Sequence, residues 1–209
     1  MNERDQLIAG ARALGLTLTE EQTARLLRLI DELARWNRAY NLTAITDRGR
    51  MLTHHLLDSL SVHADLHGAT VVDVGTGAGF PGLPLAVVTP QRAFTLVDSG
   101  GKKTRFAAHA ARVLDLGNVM VVHARAESLR PVQPFDTVVA RAFAPLPDLL
   151  DKIAALCGPD TRVLAMKGKA SPEELESIDP SWRIVETRSL AVPGVGEART
   201  VVVLRRPQT

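Results

Sequence analysis

The chain has 209 residues, of which 45% are hydrophobic, 23% charged and 4% aromatic, with 25 basic side chains against 23 acidic ones. This is ordinary globular usage, which excludes disorder and fibrous repeats, and a chain of this length buries roughly 70% of its unfolded surface without staples. A net charge of +2 is too small to argue for a polyanionic partner by itself, and so few aromatics argue against a platform that stacks single-stranded bases.

The first ten residues, MNERDQLIAG, lack the apolar core of a signal peptide. No apolar run approaches the ~18 residues of a spanning helix. The one cysteine, Cys157, closes no internal disulfide and builds no zinc site alone, which suits a reducing cytoplasm. In chain order, a weak helix is expected over 3–14. Thr19 with Gln22 fits a capping box, and Leu26, Leu29, Ile30 and Leu33 form one apolar stripe. That second helix should run to about Arg38 and end near Asn41. A third is expected from Arg50 to His63 on Leu52, Leu56, Leu57 and Leu60.

After Gly68 short β-branched runs alternate with amphipathic stretches. Strands are expected at 70–74, 93–98, 118–123, 135–140 and 162–167, then at 182–192 and 199–205. Helices are expected at 81–88, 102–116 and 146–156, with a short one near 172–178. Strand–helix alternation repeated five times implies a mostly parallel sheet covered on both faces. Only the turn-prone PGVGEA at 193–198 joins the last two strands, which should pair antiparallel at one edge. The chain thus divides into a helical extension, 1–67, packed on one α/β domain, 68–209. Seven strands ending in a hairpin resemble the doubly wound, Rossmann-like class I fold of the S-adenosyl-L-methionine (AdoMet)-dependent methyltransferases.

The sharpest local feature is VVDVGTGAGFPG at 71–82. A strand ends near Asp73, Gly75, Gly77 and Gly79 follow at alternate positions, and a helix opens at Phe80-Pro81, where proline suits a first turn. A plain turn needs one glycine; three in alternation let a ligand approach the backbone at the carboxyl ends of the strands. Gly77 to Gly82 also satisfy the dinucleotide pattern G-x-G-x-x-G. Asp73 would then set a carboxylate near the phosphates, whereas the amino group and sulfonium of AdoMet welcome an acid. Asp98 follows Gly75 by 23 residues, a spacing that suits ribose hydroxyls in either ligand.

Five segments, WNRAYNLTAIT (36–46), HHLLDSL (54–60), VVDVGTGAGFPGLPLA (71–86), LVDSGGKKTRF (96–106) and VVARAFAPL (138–146), resemble the bacterial small-subunit rRNA guanine-N7 methyltransferase family, RsmG or GidB. The resemblance implies AdoMet as cofactor and a guanine N7 of 16S rRNA, in the small ribosomal subunit or an assembly intermediate, as substrate. It implies that Gly75 and Phe80 line the methionine and sulfonium end, that Gly77 also binds the cofactor and that Asp98 takes the ribose. Ala126 and Glu127 would hold the adenine edge, and Arg141 would face both cofactor and target base. Histidine and aspartate at 54, 55 and 58 fall in a family segment without an assigned role.

The chemistry accords with few catalytic residues. Exocyclic-amine methylases carry a (D/N/S)-P-P-(F/Y/W) loop where this chain has Ala140-Arg141-Ala142-Phe143, and pyrimidine C-methylation needs a nucleophilic cysteine, whereas Cys157 ends an expected helix without a nearby base. Guanine N7 has an in-plane lone pair and no proton to remove, so Arg141 is the catalytic candidate through orientation alone. No metal is expected, because His63 with His67, and His54 with Asp58, lack a third ligand at a recognisable spacing. Candidate RNA contacts are Asn37, Lys102, Lys103, Arg125 and Lys167, suited to positioning a backbone without reading bases. The expected state is a monomer in the cytoplasm, away from membranes. Two other readings stay open here: an NAD(P)-dependent oxidoreductase, and a non-catalytic RNA- or ribosome-binding module.

Overall fold

A computed structural model describes residues 2–206; position 1 and positions 207–209 of the expected spans lie outside the described residues. Helix α1 (Glu3–Ala13) is capped by Asn2. Helix α2 (Glu20–Tyr40) opens on the expected capping box, with the Gln22 N–H donating to Thr19 Oγ1 at 3.1 Å and the Thr19 N–H donating to Gln22 Oε1 at 3.0 Å. It stops at Asn41, whose φ of 51° turns the backbone left-handed.

The third helix differs from the expected 50–63. It begins two residues earlier, because Asp47 caps it by accepting from the Arg50 N–H, and it is not uniform. Helix α3 (Arg48–Met51) passes into a π-helical turn (Leu52–Leu57), then α4 (Asp58–Leu60) and a 3-10 turn (His63–Asp65). Leucine spacing does not reveal a π turn, since Leu52, Leu56, Leu57 and Leu60 are buried throughout.

The seven strands are β1 (Thr70–Val74), β2 (Ala93–Asp98), β3 (Val119–His123), β4 (Phe135–Arg141), β5 (Cys157–Lys167), β6 (Arg183–Ser189) and β7 (Thr200–Arg205), in the order β3-β2-β1-β4-β5-β7-β6. Strands β1 to β5 run parallel, and β7 pairs antiparallel with both β5 and β6. The hairpin is therefore at the edge as expected, with β7 inserted inside β6. Helices α5 (Gly82–Val88), α6 (Gly101–Val113), α7 (Leu146–Ile153) and α8 (Pro172–Glu176) follow β1, β2, β4 and β5. The alternation is incomplete, because β3 reaches β4 through a 3-10 turn only (Ala126–Ser128). Pro81 sits just ahead of α5 rather than in its first turn. Strand β5 begins at Cys157, earlier than expected, through a bulge opposite Phe135 that Thr161 secures by donating to the Phe135 carbonyl at 2.6 Å.

Alternation along the strands feeds two cores. Val71 and Val201 join Leu26, Ile30, Leu33, Leu56, Leu83 and Phe106 on one face, so the N-terminal helices, α5 and α6 share one apolar cluster with the sheet. Val72 and Val202 join Leu149, Ile153 and Trp182 on the other. Leu33 is fully buried in the first cluster. Leu33→Ala is expected to cost about 2–5 kcal/mol, read as a lower urea midpoint at an unchanged m-value.

Candidate active site

The loop after β1 turns on Gly75, Gly77 and Gly79, all at positive φ (67°, 60° and 88°). A Cβ at Gly75 would meet the Phe143 ring at 2.1 Å, whereas one at Gly77 would meet nothing within 4 Å, so Gly77 faces open space. The amides of Gly75 and Thr76 donate to the Val97 carbonyl at 2.8 and 3.1 Å, which binds the loop to the end of β2. Asp98 continues that link. Its Oδ2 accepts from the Gly77 N–H at 2.9 Å and its Oδ1 from the Gly100 N–H at 2.7 Å.

Asp73, read from sequence as an acid beside the ligand, lies behind the loop instead. It is fully buried, and neither cavity at this end of the sheet is lined by it. Its Oδ2 accepts from the Thr76 hydroxyl at 2.6 Å and the Gly82 N–H at 2.7 Å, while Oδ1 has no partner. Burial pushes this carboxyl up to about 6, against the opposing pull of those two donors and of Arg141.

Two adjoining cavities open at the carboxyl ends of the strands, sharing Gly75, Lys103 and Ala142. The smaller, about 400 Å³, is lined by Asp98, Ser99, Arg125, Ala126, Glu127, Phe143 and Lys152. The Phe143 ring has the Lys152 ammonium 5.4 Å from its centroid. The larger, about 510 Å³, is lined by Thr43, His54, His55, Asp58, Thr76, Gly77, Phe80, Arg141, Lys167 and Arg199, among others.

In the larger cavity, Arg141 Nη1 donates to Asp58 Oδ2 at 2.8 Å and to the His54 carbonyl at 2.9 Å, and its Cζ lies 5.8 Å from the Phe80 centroid. Arg199 Nε donates to Asp58 Oδ1 at 3.2 Å. His55 stacks on Phe80 with centroids 4.9 Å apart, and its Nε2 lies 3.0 Å from Thr43 Oγ1. Burial, helped by the positive charge of Arg141, pushes His55 down to about 3, so the imidazole is neutral. Just past Arg141 the chain turns at Ala142, a non-glycine residue at φ 49°. Such a conformation is held only where the surrounding structure enforces it.

The candidates read from sequence fall in different places. Gly75, Gly77, Phe80 and Arg141 meet at the larger cavity, while Asp98, Ala126 and Glu127 meet at the smaller one. Lys103 lines both. Lys102 is exposed on the first turn of α6 and Arg125 is exposed at the mouth. Lys167 reaches the larger cavity, but its ammonium is engaged by Glu174 at 2.6 Å. Asn37 is buried, and both its amide atoms bond the backbone of Thr43, at 2.9 and 3.0 Å. It therefore reaches the site only by fixing Thr43.

Thr43, Phe143, Lys152 and Arg199 escaped the sequence reading, and Asp58 had no role there. Asp58 and Arg199 are 141 positions apart, so no spacing rule links them. Cys157 lines neither cavity; it opens β5, buried, and its thiol is pushed up to about 12. Among the described residues no group of three His, Cys, Asp or Glu side chains is placed to hold a metal. None of their helices is long and apolar enough to cross a membrane.

A parallel sheet with an inserted antiparallel β7, a glycine loop after β1 and an acid at the end of β2 defines a class. A SAM-dependent methyltransferase from Thiobacillus denitrificans, solved with S-adenosyl-L-homocysteine, aligns with a TM-score of 0.54 at 15% identity over 72% of this chain and 91% of that one. TrmN from Thermus thermophilus aligns at 0.59 and 23% identity over 83% of this chain and 52% of that one. The fold is that of the Rossmann-like AdoMet-dependent methyltransferases. The family model for rRNA small subunit methyltransferase G (GidB) matches residues 22–203. Proteins named ribosomal RNA small subunit methyltransferase G from Ectopseudomonas mendocina and Nitrosococcus oceani are 46% and 45% identical, over 97% and 94% of this chain and 95% and 92% of theirs. The chain belongs to the rRNA small subunit methyltransferase G family.

Asp73 makes stability depend on pH. Its folded value of about 6 lies above the ordinary aspartate value of 3.8, so the folded state holds a proton that the unfolded chain releases. Stability should therefore fall as pH rises from about 4 to about 6, by roughly 3 kcal/mol from this group, and level off above. Urea melts across that range check this, with Asp73→Asn expected to lack the slope.

Proposed function

We propose that this protein methylates the N7 of a guanine in small-subunit (16S) rRNA, with AdoMet as donor. The observation that carries the reading is a glycine cradle with a strand-end acid that opens onto a cavity holding a fixed guanidinium. The protein is taken to act as a monomer in the cytoplasm on the small subunit or an assembly intermediate.

The residues fit AdoMet. Gly77 leaves open space where a side chain would stand, and Asp98 presents a carboxylate at the rim of the smaller cavity. Asp98 would accept from the ribose hydroxyls, Ala126 and Glu127 would border the adenine, and Gly75, Gly77 and Phe80 would flank the methionine end. AdoMet, when bound, supplies a methyl group on a cationic sulfonium. The neutral His55 adds no repelling charge on that side and stacks on Phe80 in the cavity wall. Arg141 would orient the base through the guanine O6 or hold the neighbouring phosphate.

No proton has to leave N7, so that target calls for no general base. His55 at about 3 is too weak a base, and Cys157 at about 12 carries no thiolate. Aligning the N7 lone pair with the methyl is then the main task, and orientation of this kind supplies about 7–11 kcal/mol. The dinucleotide reading loses its phosphate site, because the Gly82 amide at the start of α5 is already taken by the Asp73 carboxylate.

AdoMet titrated into the purified chain should bind by calorimetry, and rRNA from a deletion strain should lose one borohydride–aniline cleavage site; no heat of binding, or an unchanged cleavage pattern, overturns the reading. Asp98→Ala is expected to weaken AdoMet binding about 10- to 100-fold, the loss of a charge-assisted hydrogen bond. Cys157→Ala should keep the wild-type methylation rate, and a collapse in rate would point to thiol chemistry. Arg141→Ala that loses methylation but still binds RNA would set aside a purely RNA-binding module.

A further inference from the structure

Asp58 is among the most buried charged side chains of the site, at 4% exposure, and a carboxylate so placed needs partners. It has two, both distant from it in sequence. Arg141, the last residue of β4, binds Oδ2, and Arg199, just ahead of β7, binds Oδ1. Both hydrogen bonds of the Arg141 guanidinium use Nη1, and both acceptors, the His54 carbonyl and Asp58, belong to the π turn and the helix it runs into. Among the described residues, the remaining Arg141 donors have no acceptor, while Arg141 lines the larger cavity.

We propose that Asp58 is a positioning residue for Arg141: its carboxylate holds the guanidinium at the cavity wall in the orientation that meets the target base. The proposal rests on the reading of Arg141 given above. Two acceptors on one nitrogen fix both the place and the plane of the guanidinium, which leaves the rest of its donor fork for a ligand. The same carboxylate keeps two guanidiniums together that would otherwise repel, so the cluster presents one net positive charge to an electron-rich base or its phosphate. A π turn is rare and recurs at functional sites; here it sets His54 and Asp58 as the two acceptors. The β6–β7 connection is drawn into the same arrangement, since Glu197 Oε2 lies 3.3 Å from His54 Nε2 and Arg199 is bound by Asp58. Asp58 touches neither cofactor nor base in this scheme and acts through Arg141.

The test uses the full chain, tritiated AdoMet and small subunits from a strain lacking the enzyme. Asp58→Asn keeps the shape and removes the charge. It is expected to lower kcat about 10²-fold, the cost of misplacing an orienting group by about 1 Å, while the AdoMet Kd and the KM for subunits stay near wild type. In an Arg141→Ala background Asp58→Asn should cost nothing further, because its effect passes through the missing side chain; a merely structural aspartate would add its loss to that of the arginine. Wild-type kcat in Asp58→Asn, a change in KM alone, or additive losses in the double variant each overturn the proposal. If Asp58→Asn melts below the assay temperature, Asp58→Glu carries the same cycle, its carboxylate displaced by one methylene, with the same two outcomes. Arg141→Ala at full rate overturns the reading of Arg141 and this proposal together. An inactive Arg141→Ala beside a fully active Asp58→Asn overturns this proposal alone.

Discussion

The Asp73 carboxylate at the end of β1 determines the form of everything around it. Its Oδ2 draws the Thr76 hydroxyl and the Gly82 amide onto one oxygen, which folds the chain between them into a tight loop and starts α5. A Cβ at Gly82 would lie 2.7 Å from that oxygen and 2.9 Å from Leu96, so only glycine fits there. With the loop closed from behind, its outer amides turn toward β2. Gly75 and Thr76 reach the Val97 carbonyl, and Gly77 reaches Asp98. Burial cost, visible in the raised pKa, is what this arrangement opposes with two donors.

From that loop the two cavities follow. Gly75 belongs to both, so whatever occupies the acid-lined side of Asp98 and Glu127 ends where the arginine side begins. The charge balance changes across that boundary. Asp98 and Glu127 stand among Lys103, Arg125 and Lys152 in the smaller cavity, whereas Arg141, Arg199, Lys167 and Lys103 line the larger one with the single buried Asp58. His55, in the wall of the larger cavity, stays neutral. A net charge of +2 on the whole chain is compatible with this, because the separation is local.

How much of this was legible depended on whether the signal was local. Strands β1 and β2 match their expected bounds because both are runs of β-branched and apolar residues buried on both faces. The capping box of α2 was legible for the same reason, since both partners sit within one turn. Where two distant segments decide the outcome, sequence falls silent. The bulge in β5 answers to Phe135 across the sheet, and the π turn buries the same leucines as an α-helix would. Asp73 was found but misplaced: spacing puts an acid at the strand end and says nothing about which way it faces. Asn37 was named as a candidate RNA contact, yet its amide closes on Thr43 six residues later.

The same distinction separates the parts of the site. Its glycine-loop half is built from residues at the ends of β1 and β2 and in the turn after β3, each beside a strand end, so a motif can encode it. Its arginine half joins α4, β4 and the residues before β7, three segments that meet only in the folded state. A loop motif recurs across many methyltransferases with many acceptors, so it carries the donor chemistry and not the choice of acceptor. What sets this chain apart within that class is then to be sought in the half that folding assembles, where a buried carboxylate holds a guanidinium at the cavity wall and three distant segments have to meet before the arrangement exists.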